Sequence, residues 1–429
     1  MIDLKDLREN PEKYRRGAAL KRMAVDVDTI LALDAERRHF QMDYERRRTQ
    51  QREGSQEMAG LSAAQKQEIA ARFTVLKQGI KSAEERIRQI DSALEPLLLA
   101  VPQPPDDDVP AGADANDNIV IRTWGTPRQF DFAPKSHIEL GVAHKLIDLE
   151  AAARISGSRF YVLKGMGAEL HQAVLRYAFD FITQVKGFVP LIVPLLVREA
   201  TMQGTGFFPT GRDQAYHVGA DNLFLTGTAE VGLMAYHMDE VLNETQLPLL
   251  YAGLSTCFRR EAGTYGRETA GLYRVHQFDK CEQVVLCRGD EAESRDWLQR
   301  ILGYAEEFLQ RLGLPYRIVQ CCTGDLGIKN AAQFDVEAWM PSRCVAGDPA
   351  TGYGETHSAS RLYGYQTRRL RIRYKDKDGV MRFCHSLNCT VTASPRILIP
   401  ILENYQNRDG SVTIPDVLRP YLRGLSQIG

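Results

Sequence analysis

Between Phe258 and Phe278 the chain reads FRREAGTYGRETAGLYRVHQF, concentrating four arginines, two glutamates and three glycines in one short window. Arginine suits phosphate because its planar fork donates two parallel hydrogen bonds and stays charged. The apolar runs on either side, YAGLSTCFRR and RVHQFDKCEQVVL, have the composition of β-strands. A strand–loop–strand hairpin puts Arg259 and Arg274 across from one another at the loop base. Gly263, Gly266 and Gly271 let the intervening loop fold over a ligand. Glu261 could then accept from an adenine amino group, and Phe278 could stack on the base. On these residues alone a solvated hairpin with a charged tip is an equal reading, and both stand open.

Two further stretches carry chemistry. HSLNCTVTASPRILIPILENYQ reads as a strand over His385–Val391, a short turn and an amphipathic helix containing Ile397, Ile399 and Ile401. Arg396 falls at the start of that helix, where a guanidinium gains nothing from the macrodipole and points to an external anion. In GYGETHSASRLYGYQTRRLRIRYKD, Glu355 and Ser358 stand three apart and could offer oxygen ligands to a hard divalent cation. A capping pair at a turn is the alternative reading there.

Strands must position these groups. FYVLKG, GFVPLIVP, NLFLTG and RLRIRYKD add further short β-like runs, with helical segments near 168–185, 229–243, 290–312 and 392–405. Strands outnumber helices, and many follow one another through loops, which argues for a largely antiparallel α+β domain. Neither G-x-x-x-x-G-K-[ST] nor G-x-G-x-x-G occurs, so a nucleotide would be bound by another design.

Upstream lies a different pattern. Ile69, Phe73, Leu76, Ile80, Ala83, Ile87, Ile90, Leu94 and Leu97 recur at alternating spacings of four and three, a heptad seam. Ile30, Leu33, Phe40 and Tyr44 fit the same period more loosely, interrupted by Arg37. Gly54 and Gly60 lie between the two runs, with Ser62 as a candidate N-cap. Residues 27–98 are therefore expected to fold back as an antiparallel helical hairpin, serving either dimerisation or, with Arg46, Arg47, Arg48 and Arg52, nucleic-acid binding. VPQPPDDDVPAGADAND then reads as a linker, giving domains at 1–105 and 106–429.

The 429 residues, 44% hydrophobic and 25% charged, are of ordinary globular composition, and the net charge of -1 gives no global basicity. Local patches can still recruit nucleic acid. No apolar run approaches the roughly 20 residues that span a bilayer, and MIDLKDLRENPEKY has no apolar core of a signal peptide. The eight cysteines all follow residue 250 without a C-x-x-C pair, which reads as reduced thiols in a cytoplasmic protein.

Taken in order, the segments resemble the bacterial-type seryl-tRNA synthetases, within class II of the aminoacyl-tRNA synthetases. IDLKDLRENPE resembles that family's start and the helical hairpin its tRNA-binding arm. SGSRFYVLKG and GFVPLIVPLLVREATMQGTGFFP resemble the start of the catalytic domain and motif 1, with Pro194 the motif proline. LTGTAEV resembles the serine-binding loop, the arginine-rich window motif 2, and LNCTVTASPRILIPILENYQ motif 3.

The resemblance implies an antiparallel class II sheet with flanking helices, a coiled-coil arm, and ATP-dependent joining of L-serine to tRNA(Ser) through a seryl-adenylate. Selenocysteine tRNA is a second candidate acceptor, Mg²⁺ the implied metal, and a cytoplasmic homodimer without membrane attachment the implied state. Arg259, Arg274 and Arg396 would be catalytic. ATP would meet Arg259, Arg260, Glu261, Phe278, Glu355, Thr356, His357, Ser358 and Arg396, with Phe278 and Arg396 sandwiching the adenine. Serine would meet Thr228, Ala229, Glu230, Arg259, Glu282, Asn388 and Thr390, and Glu355 with Ser358 would hold the metal.

The chain departs from the family pattern at Arg361 and Gly364, where Asn and Asp are usual, and at Cys389, where Gly is common. The 341–354 connector is longer than usual, and the arm lacks a common Asn-Lys pattern. A paralogue serving antibiotic biosynthesis or resistance, and a non-catalytic tRNA-binding relative, are the alternatives. A carrier-protein ligase is disfavoured by the heptad arm.

Overall fold

The computed structural model describes residues 1–57, 63–263 and 271–429, with side chains at all of these except 57 and 63–71. Gly60, Ser62, Gly266, Arg267 and the side chain of Ile69 lie outside the described residues. The chain divides into two compact units, residues 2–102 and residues 103–429 together with Met1. The division falls within the VPQPP stretch.

In the first unit α1 (Val27–Glu57) packs along α2 (Ala63–Ala100). Glu36 meets Arg86 at 2.8 Å, Arg37 meets Asp91 at 2.5 Å, and Gly54 faces Phe73, so the partners run in opposite directions. At 1.5 Å per residue such helices extend for about 50 Å. Leu76, Ile80, Ala83, Ile90 and Leu94 are buried along the seam, while Phe73, Ile87 and Leu97 are half-buried. Arg37, the interruption in the pattern, bonds across the hairpin to Asp91 instead of filling the seam. Asp34 is also buried, and its carboxylate accepts from Arg8 and Arg38 at 3.2 Å each.

The second unit is built on an eight-stranded sheet. Its strands are β1 (Ile119–Trp124), β2 (Val189–Pro190), β3 (Leu249–Phe258), β4 (Gln277–Cys287), β5 (Tyr316–Gln320), β6 (Ala332–Trp339), β7 (Tyr353–Tyr363) and β8 (His385–Ser394). They lie in the order β1-β5-β6-β7-β8-β4-β3-β2, antiparallel except for the β2–β3 pair. Helices α3 (Met166–Asp180), α4 (Glu230–Ala235), α5 (Glu291–Arg311) and α6 (Leu398–Asn404) flank it. This is the expected α+β class.

Period-two alternation divides the sheet into two faces. Cys281, Val285 and Cys287 of β4 join Leu387, Cys389 and Val391 of β8 in one core with Ala178, Ile301 and Phe308 of α3 and α5. On the opposite face, Val284 and Leu286 join a smaller core with Leu233, Met234 and Leu370. Phe278, Lys280, Asn388 and Thr390 line a cleft on that same face. Burial on both faces explains why strands with polar residues in alternate positions show almost no exposed surface.

Two bulges re-aim the strands. Val336 pairs with His357 and Glu337 with Glu355, leaving Thr356 of β7 extra. Thr390 pairs with Glu282 and Thr392 with Cys281, leaving Val391 of β8 extra.

Two expected helices are shorter than the pattern implied. The segment from 229 stops at Ala235, the backbone turns left-handed at Asp239, and Val241–Asn243 is a strand. β8 continues through β-branched Val391 and Thr392 to Ser394, and α6 begins only at Leu398. Arg396 accordingly sits in the turn before the helix.

Candidate active site

The arginine-rich window folds as the expected hairpin, but its register differs from the expected facing of Arg259 and Arg274. Phe258 pairs with Gln277, and the Arg259 N–H donates to the His276 carbonyl at 2.9 Å. Continuing that count, Arg274 faces Glu261, and its Nη1 donates to Glu261 Oε2 at 2.6 Å. Glu261 adopts a left-handed backbone, φ 49°, where the strand gives way to the loop. The guanidinium of Arg259 lies 5.2 Å from the Phe278 ring centroid, and its Nε donates to the Gly227 carbonyl at 3.3 Å. Arg259, Glu261, Arg274 and Phe278 all line one cavity of about 270 Å³.

The bulge at Thr356 forms the second wall. Residues three apart on a regular strand point to opposite faces, but the extra residue brings Glu355 and Ser358 into the same cleft. They lie on a strand, not at a turn. Ser358 pairs with Asp335 of β6, whose carboxyl is pushed up to about 7 by burial and by the nearby charge of Glu355. Gln333 Nε2 and Cys321 Sγ donate to Asp335, at 2.9 and 3.3 Å. A carboxylate and a hydroxyl beside a second carboxyl form an oxygen set that fits a hard divalent cation.

Arg396 completes this end. Its Nε donates to the Tyr273 carbonyl at 3.1 Å and its Nη1 to the Glu355 carbonyl at 3.0 Å. The guanidinium also sits 4.4 Å from the centre of the Tyr273 ring, which carries Arg343 at 4.3 Å as well. The long connector therefore contributes Arg343 beside the cleft. It is fastened by Ser342, whose N–H and hydroxyl bond the Glu403 carboxylate at 2.9 and 2.7 Å.

The opposite end holds two carboxylate–lysine pairs. Glu282, fully buried, accepts from Lys280 at 2.5 Å, from Asn388 Nδ2 at 3.1 Å and from the Thr390 hydroxyl at 3.3 Å. Asn388 keeps a buried Oδ1 that no described residue reaches. Glu230 Oε1 accepts from Lys329 and, at 2.7 Å, from Gln366 Nε2. Burial pulls the Lys329 ammonium below the ordinary lysine range, with Glu230 opposing that shift. The Thr228 hydroxyl accepts from the Glu230 N–H at 3.2 Å, fixing the first turn of α4.

Of the expected site residues, Thr228, Glu230, Arg259, Glu261, Arg274, Phe278, Glu355, Thr356, Ser358, Asn388, Thr390 and Arg396 all line this cleft. Glu282 lies just beneath it. Three others turn elsewhere. Arg260 is exposed and donates to the Asp213 carbonyl at 3.3 Å. His357 points to the helical layer, its ring 6.2 Å from Phe308, and burial pulls its pKa down to about 4. Ala229 packs into the core beside α4.

Lys280, Lys329, Asn330, Gln333, Ser360 and Tyr273 also line the cleft and were not foreseen. Lys280 had a signal in the sequence, since strand alternation from Phe278 to Glu282 puts it on their face. Two of the departures from the family pattern stay off the cleft. Cys389 is buried in the core behind the sheet, and Arg361 forms a buried ion pair with Asp106.

Residues 216–405 match the tRNA synthetase class II core domain (G, H, P, S and T), and residues 1–105 match the seryl-tRNA synthetase N-terminal domain. The Serine--tRNA ligase of Deinococcus radiodurans is 42% identical over 429 residues, covering 100% of this chain and 99% of that protein. That of Symbiobacterium thermophilum is 40% identical over 426 residues, covering 99% of each. The seryl-tRNA synthetase of Pyrococcus horikoshii complexed with ATP superimposes with a TM-score of 0.90 at 36% identity, covering 100% of this chain and 99% of its own. The cytoplasmic Serine-tRNA ligase of Naegleria fowleri in complex with AMP gives 0.87 at 31% identity, with 100% and 98% covered. With full-length identity at this level, the chain belongs to the seryl-tRNA synthetase family of class II aminoacyl-tRNA synthetases.

Proposed function

We propose that this cleft joins L-serine to tRNA in two steps driven by ATP. A serine carboxylate oxygen attacks the α-phosphorus, forming the carboxyl–phosphate bond of seryl-adenylate as the bond to pyrophosphate breaks. A hydroxyl of the terminal adenosine of tRNA then attacks the activated carbonyl, and AMP leaves. The observation that carries the reading is the convergence of Arg259, Arg274, Glu355, Ser358 and Arg396 on one cleft whose far end is lined by Glu230, Lys280 and Lys329, with Glu282 beneath.

Arg259 stands between the two ends, where its fork can hold the serine carboxylate and stabilise charge developing on the α-phosphate. Arg274, oriented by Glu261, supports the phosphate chain. Phe278 and Arg396 supply an aromatic face and a cationic face for adenine. Glu282, Asn388, Thr390, Thr228 and Glu230 receive serine, with Asn388 Oδ1 free to accept from the α-ammonium. Glu355 and Ser358 are the groups that would hold Mg²⁺, which supplies neutralisation of phosphate charge when bound. Positioning and electrostatics carry most of such a transfer.

The arm in residues 27–100 is assigned to tRNA, with tRNA(Ser) as acceptor and selenocysteine tRNA as a second one. A cytoplasmic homodimer is the proposed state. Ile192, 99% exposed, with Val189 and Leu196 in the stretch resembling motif 1, supports a covered surface there. Among the described residues no helix is long and apolar enough to cross a membrane.

Pyrophosphate exchange with a panel of twenty amino acids tests the reading. Serine-dependent exchange is expected, and Arg259→Ala should lower its rate by about a hundredfold or more. A panel with no serine dependence would refute it.

A further inference from the structure

The amino-acid end of the cleft contains a charge pair with open hydrogen-bonding capacity. Each oxygen of Glu282 already has a protein donor: Asn388 on one, Lys280 and Thr390 on the other. Glu230 differs. Both of its protein donors, Lys329 and Gln366, converge on Oε1, and among the described residues no donor reaches Oε2. Lys329 shows the complementary surplus. Its ammonium carries three N–H groups, and Glu230 is its one hydrogen-bond acceptor among the described residues. The Phe207 ring, 4.0 Å from Nζ, backs it on another side. Lys329 and Glu230 both line the cavity.

We propose that Lys329 is a specificity-determining residue that, with Glu230, reads the side-chain hydroxyl of serine: Nζ donates to the hydroxyl oxygen while Glu230 Oε2 accepts its proton. A hydroxyl is the smallest side-chain group that accepts and donates together, so it satisfies both members of the pair at once. A methyl group in its place leaves a desolvated donor and acceptor unmatched, and such omissions are strongly penalised. Gln366 and Phe207 keep the pair in register, Gln366 by holding Glu230 Oε1 and Phe207 by lying against the ammonium. This inference rests on the placement of serine proposed above.

Pyrophosphate exchange with serine and with alanine, run on the full-length protein, tests it. Lys329→Met should lower the serine-to-alanine ratio of kcat/KM by about a hundredfold, leaving the KM for ATP unchanged. The double variant Lys329→Met with Glu230→Gln removes both charges and should show the same loss, covering the case in which an unpaired Glu230 prevents folding. An unchanged ratio in either folded variant overturns the proposal. Glu282→Gln separates the two levels of the reading. If it raises the KM for serine while Lys329→Met leaves the ratio intact, only the role of Lys329 fails. If neither variant affects serine, its placement in this cleft fails as well.

Discussion

Glu261 faces Arg274 across the hairpin base, where Arg274 Nη1 donates to Glu261 Oε2 at 2.6 Å. The pair continues the β3–β4 register past the last ladder rung, Phe258 with Gln277. A charge-assisted bond in a half-buried setting fixes a long side chain that would otherwise sample many rotamers. Arg274 is thus oriented before ATP arrives. Glu261→Gln keeps the shape but removes the charge, and should raise the KM for ATP about tenfold, as measured by pyrophosphate exchange at fixed serine.

The extra residue at Thr356 has a sharper consequence. Deleting it leaves Glu355 and Ser358 two apart on a regular strand and still on one face. A residue inserted between Val336 and Glu337 of β6 instead pairs off the extra residue, restores alternation at full length and turns Ser358 away from the face of Glu355. Misplacing a reacting group by an ångström or more costs on the order of a hundredfold in rate. Ser358→Ala at ordinary strand length loses only one hydrogen bond and should cost about fivefold. Titrating Mg²⁺ in the exchange assay for both variants distinguishes loss of register from loss of a ligand.

These features mark where sequence patterns were sufficient and where they failed. The two-faced strands, the heptad seam and the arginine hairpin were legible because each repeats a local period or clusters one side-chain type. The pairing of Arg274 with Glu261 was missed because a hairpin's register depends on where its ladder ends. Glu355 and Ser358 read more readily as a turn cap, since spacing alone does not reveal a bulge. Lys329 sits in LGIKNAA, which has no period, and reaches Glu230 only through the folding of a distant segment. No local reading connects the two.

Asp335 gives a pH dependence. Burial, and then the nearby charge of Glu355, push its carboxyl up from an ordinary 3.8 to about 7 in the folded protein. Between those values the unfolded chain gives up the proton while the folded one retains it, so stability falls as pH rises through that window. Above it both states are ionised and the loss is complete. With a chelator present, the Tm should fall between pH 5 and pH 8 by a few degrees (~1 kcal/mol or more). Asp335→Asn, neutral throughout, should flatten that slope when followed by thermal unfolding across the same range.

Arg361 departs from the family pattern through packing. Its guanidinium is paired with Asp106 and stacked 5.0 Å from the Tyr363 ring, and the Tyr363 hydroxyl donates to Asp106 at 2.7 Å. Arg361→Asn, which restores the usual residue, leaves the buried Asp106 carboxylate with only the Tyr363 hydroxyl and Arg295 at 3.6 Å, and should destabilise the fold by about 2 kcal/mol. Denaturant unfolding measures that loss. The KM values for ATP and serine should stay as they are, because Arg361 does not line the cleft.

Separating the two units tests the division of labour between them. Residues 103–429 contain every residue assigned to serine and ATP, and they form a compact unit with their own core. A chain lacking residues 27–100 should therefore still catalyse serine-dependent pyrophosphate exchange. Charging of tRNA should collapse in the same chain, since α1 and α2 expose a long polar surface that no residue of the adenylate site replaces. Phosphate contacts weaken steeply with salt, so charging by the intact chain should fall between 50 and 200 mM salt while exchange changes little. Charging that survived both the truncation and the salt would place tRNA recognition in residues 103–429 instead of the arm.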